Sequence, residues 1–179
     1  MSRPSLLPRS AYRVWREIGT RWADNDAYGH VNNTIYYAWF DSAVNAWLVE
    51  AGLLDIRQGD PIGLVVETGC RYARPLAFPE PVEIGLAVSA LGRSSVTYRL
   101  GVFAKGSAEA AAEGHFTHVY VGRASRRPVE LPEAWRRRLE EAAVVEVPPP
   151  APAKEIANER TDGRRLRLRP DPLLGPGRE

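Results

Sequence analysis

The stretch TIYYAWFDSAVNAWLVEA, from Thr34 to Ala51, decides the fold of this 179-residue chain. It contains five aromatic residues and two charged ones, and neither glycine nor proline. Apolar residues recur at helical spacing and also fill the adjacent face, so the apolar arc is too wide for a helix that rests on a surface. Gly52 supplies a C-terminal stop. The pattern predicts a helix of roughly 27 Å that other structure wraps.

The segments on either side of this helix alternate apolar and polar residues, which is typical of strands. One segment precedes the helix, from Tyr12 to Trp22. Four follow it, with turn residues between them, at 62–72, 82–88, 96–102 and 115–121. The order of elements is a strand, a buried helix and four hairpin-connected strands. This order predicts an α+β fold in which one antiparallel sheet folds over the helix. A short Arg/Glu-rich helix is predicted over 132–143.

The composition changes near residue 147 and divides the chain. We predict an N-terminal extension at 1–11, one domain at 12–146 and a C-terminal tail at 147–179. The tail contains seven of the fifteen prolines and seven Arg or Lys residues, with little apolar periodicity. We expect it to be flexible or to lie on a neighbour.

The charge and cysteine content exclude several classes of function. Up to Glu146 the chain has seventeen acidic and seventeen basic residues, so no global charge recruits nucleic acid. The single cysteine, Cys70, excludes an intrachain disulfide and a cysteine-based zinc site. Apolar runs are too short for a membrane span, and the pair Leu6 and Leu7 is too short for a signal peptide. We therefore expect a soluble, cytoplasmic protein.

The loop RWADNDAYGHVNN, from Arg21 to Asn33, places two carboxylates directly before the helix. Asn32 and Asn33 are good N-cap residues, and a helix start carries unpaired N–H groups and a dipole that favours negative charge. Asp26 lies seven residues before Asn33, on a loop that Gly29 allows to turn back. A carboxylate beside such a helix start suits hydrolysis of an ester or thioester.

Other polar residues have a structural interpretation beside a functional one. Asp24 is either a second acid or, as we favour, a cap for loop N–H groups. His30 is either a base or ligand or, as we favour, a hydrogen-bonded loop anchor. Asp24, Asp26 and His30 could together bind a metal, but the sequence offers no further cluster of ligating residues to complete such a site, so we expect no metal site.

Cys70 and the two later histidines carry no comparable signal. A cysteine in a strand is expected to pack as a small hydrophobe. His115 and His118 are three positions apart in a strand, so we expect them on opposite faces and not as a pair of ligands.

The loop also carries a specific resemblance. The motif D-x-D-x-x-G-H-V-N-N, from Asp24 to Asn33 and followed by Tyr36, resembles the signature of the 4-hydroxybenzoyl-CoA thioesterase family of the hotdog superfamily, in its acyl-CoA thioesterase branch. The likeness covers about Tyr12 to Leu139. The segments Glu67 to Pro75 and Gly92 to Ser95 support it.

The resemblance implies a hotdog fold and a set of site residues. Asp26 is implied to be the catalytic carboxylate, and the backbone N–H of Asn33 to polarise the thioester carbonyl. Arg93 is implied to contact the phosphates of CoA, with Ser95 nearby. The remaining residues that we expect near the substrate are Gly29, His30, Ile35, Tyr36 and Trp39, of which Ile35 and Trp39 are candidates to line an acyl slot.

The resemblance also implies an activity and an assembly. We expect an acyl-CoA thioesterase without a cofactor, acting on an acyl-CoA substrate. Members of the family form dimers whose sheets join edge to edge, often paired again into tetramers, so a homodimer or homotetramer is expected. The alternative is a non-hydrolytic hotdog protein, either an acyl-CoA sensor or a hydratase-like relative. A hydratase would need a histidine on or beside the long helix, and the stretch from Thr34 to Ala51 has none.

Overall fold

The computed structural model of the chain describes residues 6–144. Its elements, in chain order, are β1 (Val14–Ile18), α1 (Asn33–Glu50), β2 (Ile62–Tyr72), β3 (Val82–Leu91), β4 (Ser95–Ala104), β5 (Ala112–Val121) and α2 (Glu133–Glu141). Within this range the strands form one five-stranded antiparallel sheet, in the order β1-β3-β4-β5-β2. The predicted α+β hotdog fold is confirmed. The predicted tail lies outside the described residues.

α1 forms where the aromatic stretch predicts it, within one residue at each end. Asn32 caps its start, since its Oδ1 accepts a hydrogen bond from the Thr34 N–H at 3.0 Å. The side chains that turn towards the sheet are spaced three or four apart, and they are Tyr36, Trp39, Phe40, Ala43, Val44, Trp47 and Leu48. No helix within residues 6–144 combines the length and the apolar character needed to cross a membrane.

Two strand predictions need correction. β2 does not form a hairpin with β3 but pairs with β5 at the edge of the sheet. The connection over 73–81 is rich in proline, which cannot extend a ladder and therefore suits a crossover. β1 also ends at Ile18, short of the predicted Trp22. A 3-10 turn begins there because Asp24 accepts a hydrogen bond from the Arg21 N–H at 2.7 Å.

The helix-facing side of the sheet forms the main core. Gly114 in β5 makes room for the ring of Phe40, because a Cβ at this glycine would collide with that ring. His118 is 3% exposed, and within residues 6–144 its ring nitrogens have no hydrogen-bond partner. Burial lowers the pKa of His118 to about 4, so its imidazole is neutral at neutral pH. His115 lies on the opposite face, 3.3 Å from a carboxylate oxygen of Glu67, which confirms the predicted split.

The opposite face of the sheet is tied to the N-terminal segment by Glu113. This carboxylate is 2% exposed and accepts hydrogen bonds from the Leu7 N–H at 2.8 Å and the Tyr12 hydroxyl at 3.3 Å. Arg71 and Arg99 donate to its other oxygen at 2.6 and 2.9 Å. Burial opposes ionisation of Glu113, but these donors outweigh it and hold its pKa below the ordinary value. The ionised carboxylate of Glu113 therefore holds the N-terminal segment against the sheet.

Candidate active site

A pocket of about 350 Å³ lies beside the N-terminus of α1. It brings together four residues that the sequence analysis assigned to the site, which are Asp26, His30, Asn33 and Tyr36. Val31 and the end of β2 complete its wall, with Tyr72, Ala73, Arg74 and Pro75. The wall thus joins the acidic loop, the helix start and one edge of the sheet.

The backbone of the acidic loop turns back on itself and aims Asp26 at the pocket. The Asp26 N–H donates to the His30 carbonyl at 2.8 Å, and the Gly29 N–H donates to the Asp26 carbonyl at 3.1 Å. Gly29 has a φ of 80°, a left-handed conformation that a residue without a Cβ adopts readily. Asp26 Oδ1 accepts the Tyr28 N–H at 2.8 Å. Among residues 6–144 both donors to this carboxylate approach Oδ1, and Oδ2 accepts no hydrogen bond.

Asp24 has the structural role that we favoured for it. Its carboxylate is 1% exposed and accepts the Arg21 N–H at 2.7 Å and the Arg21 Nε–H at 2.9 Å. Its carbonyl accepts the Asn32 N–H at 2.8 Å, which ties the beginning of the loop to the helix cap. Asp24 thereby positions both ends of the loop that carries Asp26.

His30 anchors the loop through its backbone rather than through its ring. Its carbonyl accepts the Asp26 N–H, and its own N–H approaches Asp26 Oδ1 at 3.4 Å. The imidazole is exposed at the rim of the pocket. The sequence indicated an anchor but not which part of the residue provides it.

The start of α1, which forms part of the pocket wall, carries an unpaired backbone donor among the described residues. The side-chain Oδ1 of Asn32 accepts a hydrogen bond from the Thr34 N–H, and its carbonyl oxygen accepts one from the Ile35 N–H, both at 3.0 Å. The N–H of Asn33 has no acceptor among residues 6–144. A free N–H at the positive end of a helix dipole stabilises an oxyanion. Asn33 therefore combines an available donor with a place in the pocket wall.

Tyr72, at the end of β2, is a pocket residue that the sequence analysis did not assign. Its hydroxyl donates to the Asn33 carbonyl at 3.0 Å. Its ring meets the ring of Tyr36 edge to face, with centroids 5.0 Å apart. The tyrosine thus ties the helix start to the sheet. Only its place in the E-x-x-C-x-Y-x-x-P strand end, which supported the family resemblance, pointed towards it.

Burial suppresses ionisation on this side of the pocket. Burial, together with the nearby Cys70, raises the pKa of Tyr36 to about 12. Burial likewise raises the pKa of the Cys70 thiol to about 11, so this cysteine is not a thiolate at neutral pH. Cys70 packs against the main core as predicted. The buried thiol of Cys70 is therefore a packing group and not a nucleophile at neutral pH.

Several predicted site residues lie outside the pocket. Ile35 and Trp39 do not line the pocket, and Trp39 is 5% exposed and packs in the core beside Tyr36. Arg93 and Ser95 lie at the turn between β3 and β4. Ser95 pairs with Val119, which in turn pairs with Leu64 near the beginning of β2. Tyr72, in the pocket wall, lies eight residues beyond Leu64 on β2, a distance of about 26 Å along the strand. Within one chain, Arg93 and Ser95 therefore lie at the opposite end of the sheet from the pocket.

Comparisons with known proteins identify relatives of this chain in sequence and in fold. The family described as the thioesterase-like superfamily matches residues 20–139. The PA5185 protein of Pseudomonas aeruginosa strain PAO1 is 51% identical over 76% of this chain and 96% of its own, with a TM-score of 0.74. A thioesterase of Thermus thermophilus, crystallised with coenzyme A and zinc, is 28% identical over 73% of this chain and 94% of its own, with a TM-score of 0.62.

A 1,4-dihydroxy-2-naphthoyl-CoA thioesterase of Synechocystis shares the fold at 20% identity. It covers 70% of this chain and 93% of its own, with a TM-score of 0.63. Among curated proteins, none matches the chain.

Proposed function

This chain belongs to the thioesterase-like superfamily, and we propose that it hydrolyses acyl-CoA thioesters to a free carboxylic acid and CoA. The observation that carries the proposal is the pocket, whose wall includes both Asp26 and Asn33, the latter with a backbone N–H that has no acceptor among residues 6–144. A related thioesterase of Thermus thermophilus has been crystallised with coenzyme A, which supports a CoA ester as the substrate. We place the chain in the 4-hydroxybenzoyl-CoA thioesterase-like branch because its loop motif resembles that signature.

The proposed mechanism begins with the thioester carbonyl. Its oxygen accepts a hydrogen bond from the Asn33 N–H at the helix start, which stabilises the negative charge that develops there. Removal of one such donor typically costs about 10²- to 10³-fold in rate. Tyr72 acts as a positioning residue, since its hydroxyl fixes the first turn of α1 at 3.0 Å from the Asn33 carbonyl.

Asp26 supplies the nucleophile in one of two ways. Its free oxygen attacks the carbonyl to give a mixed anhydride that water then hydrolyses, or it takes a proton from a water molecule that attacks directly. In both routes the carbon–sulfur bond breaks, and the departing CoA thiolate takes up a proton. A thiolate is a good leaving group, so the pocket needs no strong general acid.

The proposal is tested by measuring thiol release with DTNB on a panel of acyl-CoAs. The panel contains acetyl-, butyryl-, hexanoyl-, decanoyl-, benzoyl- and 4-hydroxybenzoyl-CoA. We expect release of CoA from at least one of them, at a rate proportional to enzyme concentration. Binding of acyl-CoA without any thiol release would instead identify an acyl-CoA sensor.

We further propose that the chain forms a homodimer through the edge of β2. Within residues 6–144 this strand pairs on one side only, with β5. It exposes Leu64, Val65 and Val66 at 38%, 48% and 59%, and a long apolar edge is a template for pairing with a second sheet. Two antiparallel β2 strands would place the Tyr72 end of one beside the Ile62 end of the other. The partner's Arg93 would then approach the pocket and contact CoA there.

Replacement of Val66 by lysine is expected to convert the dimer to a monomer. A charge at this edge opposes strand pairing, which is how natural edge strands avoid association. Sedimentation velocity measures the change, and Val49→Lys is the matched control because Val49 is 47% exposed on α1. A variant that stays dimeric would place the interface elsewhere.

A further inference from the structure

A cluster of basic side chains covers the end of the sheet where β3 turns into β4 and β5 leads into α2. The turn at 92–95 and the segment 122–141 together contain seven arginines and four glutamates. We refer to this surface as the arginine patch. Because the chain up to Glu146 has equal numbers of acidic and basic residues, the rest of that stretch is net negative. The arginines of the patch are Arg93, Arg123, Arg126, Arg127, Arg136, Arg137 and Arg138.

Hydrogen bonds join the segments of the arginine patch into one surface. The Leu131 N–H donates to the Arg93 carbonyl at 3.0 Å, which fixes the segment before α2 against the β3–β4 turn. The Arg136 guanidinium donates to the Gly92 carbonyl at 3.0 Å and fixes α2 to the same turn. The Arg127 carbonyl accepts the N–H of the residue that follows β5, also at 3.0 Å. The fold therefore holds these basic residues side by side.

Most guanidinium groups of the patch have no carboxylate partner. Among residues 6–144 the patch contains one ion pair, between Arg138 and Glu141. Arg123 and Arg136 donate to backbone carbonyls. The remaining four are exposed and form no salt bridge within the described residues, and they are Arg93, Arg126, Arg127 and Arg137. Such arginines are available to the carboxylates or phosphates of a ligand.

The spread of the patch fits a protein surface better than a single nucleotide. Arg93 lies beside Leu131, and the chain from Leu131 back to Arg127 covers about 13 Å when extended. CoA carries its phosphates on one nucleotide, which Arg93 alone can contact. The arginines further along the patch therefore remain for a wider acidic partner.

The composition of the patch disfavours a nucleic acid as that partner. Glu130 and Glu133 lie among the arginines and would repel a continuous phosphate backbone. Trp135 is the one aromatic residue of the segment 122–141, and its ring packs edge to face on Tyr120. It offers no open surface on which a base could stack. A protein with separate carboxylates does not meet these obstacles.

In the proposed dimer, the arginine patch of one subunit lies beside the catalytic pocket of the other. Ile62, at the beginning of β2, pairs with Val121, the residue directly before the segment 122–141. Antiparallel β2 strands bring this end of the sheet next to the Tyr72 end of the partner. A macromolecule bound to the patch is therefore well placed to deliver a thioester to that pocket.

We propose that the arginine patch binds an acidic carrier protein that presents an acyl group on a phosphopantetheine arm. This inference rests on the proposed function and on the proposed dimer, and it adds a second class of substrate, since CoA and such carriers hold the acyl group on the same arm. In the reaction, water adds to the acyl carbon and the carbon–sulfur bond breaks. The thiolate of the arm takes up a proton, so the products are the free acid and the carrier in its thiol form.

Three thioesters of one acyl group test the inference. The thiol is carried by an acyl carrier protein without cysteine, by CoA or by N-acetylcysteamine, and DTNB measures its release. At low salt we expect kcat/KM for the carrier substrate to exceed that for the N-acetylcysteamine thioester by about tenfold or more, because complementary charge accelerates association. Added salt should remove this advantage and leave the N-acetylcysteamine thioester unaffected.

Two charge reversals locate the effect in the patch. Arg127→Glu and Arg137→Glu are each expected to lower kcat/KM for the carrier substrate by about three- to tenfold. The N-acetylcysteamine thioester should react at the wild-type rate. Acyl-CoA should stay within about twofold, because Arg127 lies further from Arg93 than the screening length of about 8 Å at physiological ionic strength. The control is Arg13→Glu, at an exposed arginine before β1 and outside the patch.

The contrary outcomes separate this inference from the proposed function. A wild type that hydrolyses acyl-CoA, but the carrier substrate no faster than the N-acetylcysteamine thioester, would overturn the inference alone. A wild type that hydrolyses none of the three would overturn both. Equal losses for acyl-CoA and the carrier substrate would assign the patch to the phosphates of CoA, and an equal loss in Arg13→Glu would assign the effect to net charge. Binding of single-stranded RNA or anionic lipid vesicles without carrier turnover, if lost in Arg127→Glu, would identify a different polyanion.

Discussion

Replacement of Asp26 by asparagine is expected to lower kcat for acyl-CoA hydrolysis by about 10²- to 10⁴-fold and to leave substrate binding nearly unchanged. An amide is neither a nucleophile of useful strength nor a base, so both routes open to the carboxylate are lost. The loop itself should survive, since an asparagine Oδ1 can still accept the Tyr28 N–H that the aspartate binds at 2.8 Å. Thiol release under saturating substrate gives kcat, and calorimetry with a non-hydrolysable thioether analogue gives the affinity.

The matched control for this variant is Asp41→Asn. Asp41 is exposed on α1, outside the pocket, where its carboxylate accepts a hydrogen bond from the Asn45 side chain at 3.0 Å. We expect it to retain the wild-type kcat. Undiminished hydrolysis by the Asp26 variant would remove this carboxylate from the mechanism, and a loss of affinity without a loss of kcat would assign it to binding alone.

The main elements of the fold are predictable from the sequence because their periodicities are strong. α1 has apolar side chains over a wide arc with no helix breaker inside it, and such a surface must be covered by other structure on several sides. The strands follow from alternation alone. What alternation cannot show is which strands are neighbours, and the edge position of β2 is therefore a result of the structure. Pairing depends on how a sheet closes over a helix, which is not a local property.

The same limit applies to the site. Asp26 and Asn33 are close in sequence and separated by one glycine-containing turn, so their meeting is predictable from local geometry. Tyr72 and Arg74 reach the pocket only because β2 ends beside the helix start, which requires the tertiary fold. Trp39 was a candidate for the acyl slot but is buried in the core, because an aromatic residue on a buried helix can belong to the core as readily as to a pocket.

Glu113 is a further residue whose importance is hidden in the sequence, where it is one acid in an alternating strand. In the structure it is 2% exposed and is surrounded by donors from the N-terminal segment and two neighbouring strands. We expect Glu113→Gln to lower the free energy of unfolding by about 3 kcal/mol at pH 7, because the substitution removes the buried negative charge to which two partly buried guanidinium groups are paired. Urea denaturation followed by circular dichroism measures the change.

Glu109→Gln is the matched control, because Glu109 is paired with Arg74 but its side chain is 64% exposed. An exposed pair contributes little, so this variant should lose less than about 1 kcal/mol. Equal losses in the two variants would show that burial of Glu113 adds nothing to the strength of its interactions.

The pH dependence of this difference provides a second and independent test. The pKa of Glu113 is lower in the folded chain than its ordinary value of 4.5, so the stability that its charge contributes is fully present above that value. It is lost as the pH falls through the lowered pKa of the folded state. The gap between the wild type and Glu113→Gln should therefore be constant from pH 7 to 5 and should shrink below about pH 4. His118, whose burial lowers its pKa to about 4, also destabilises the fold in acid, but it does so in both proteins and cancels in the comparison. A gap that stayed constant down to pH 3 would mean that hydrogen bonding, rather than the charge of Glu113, holds the N-terminal segment to the sheet.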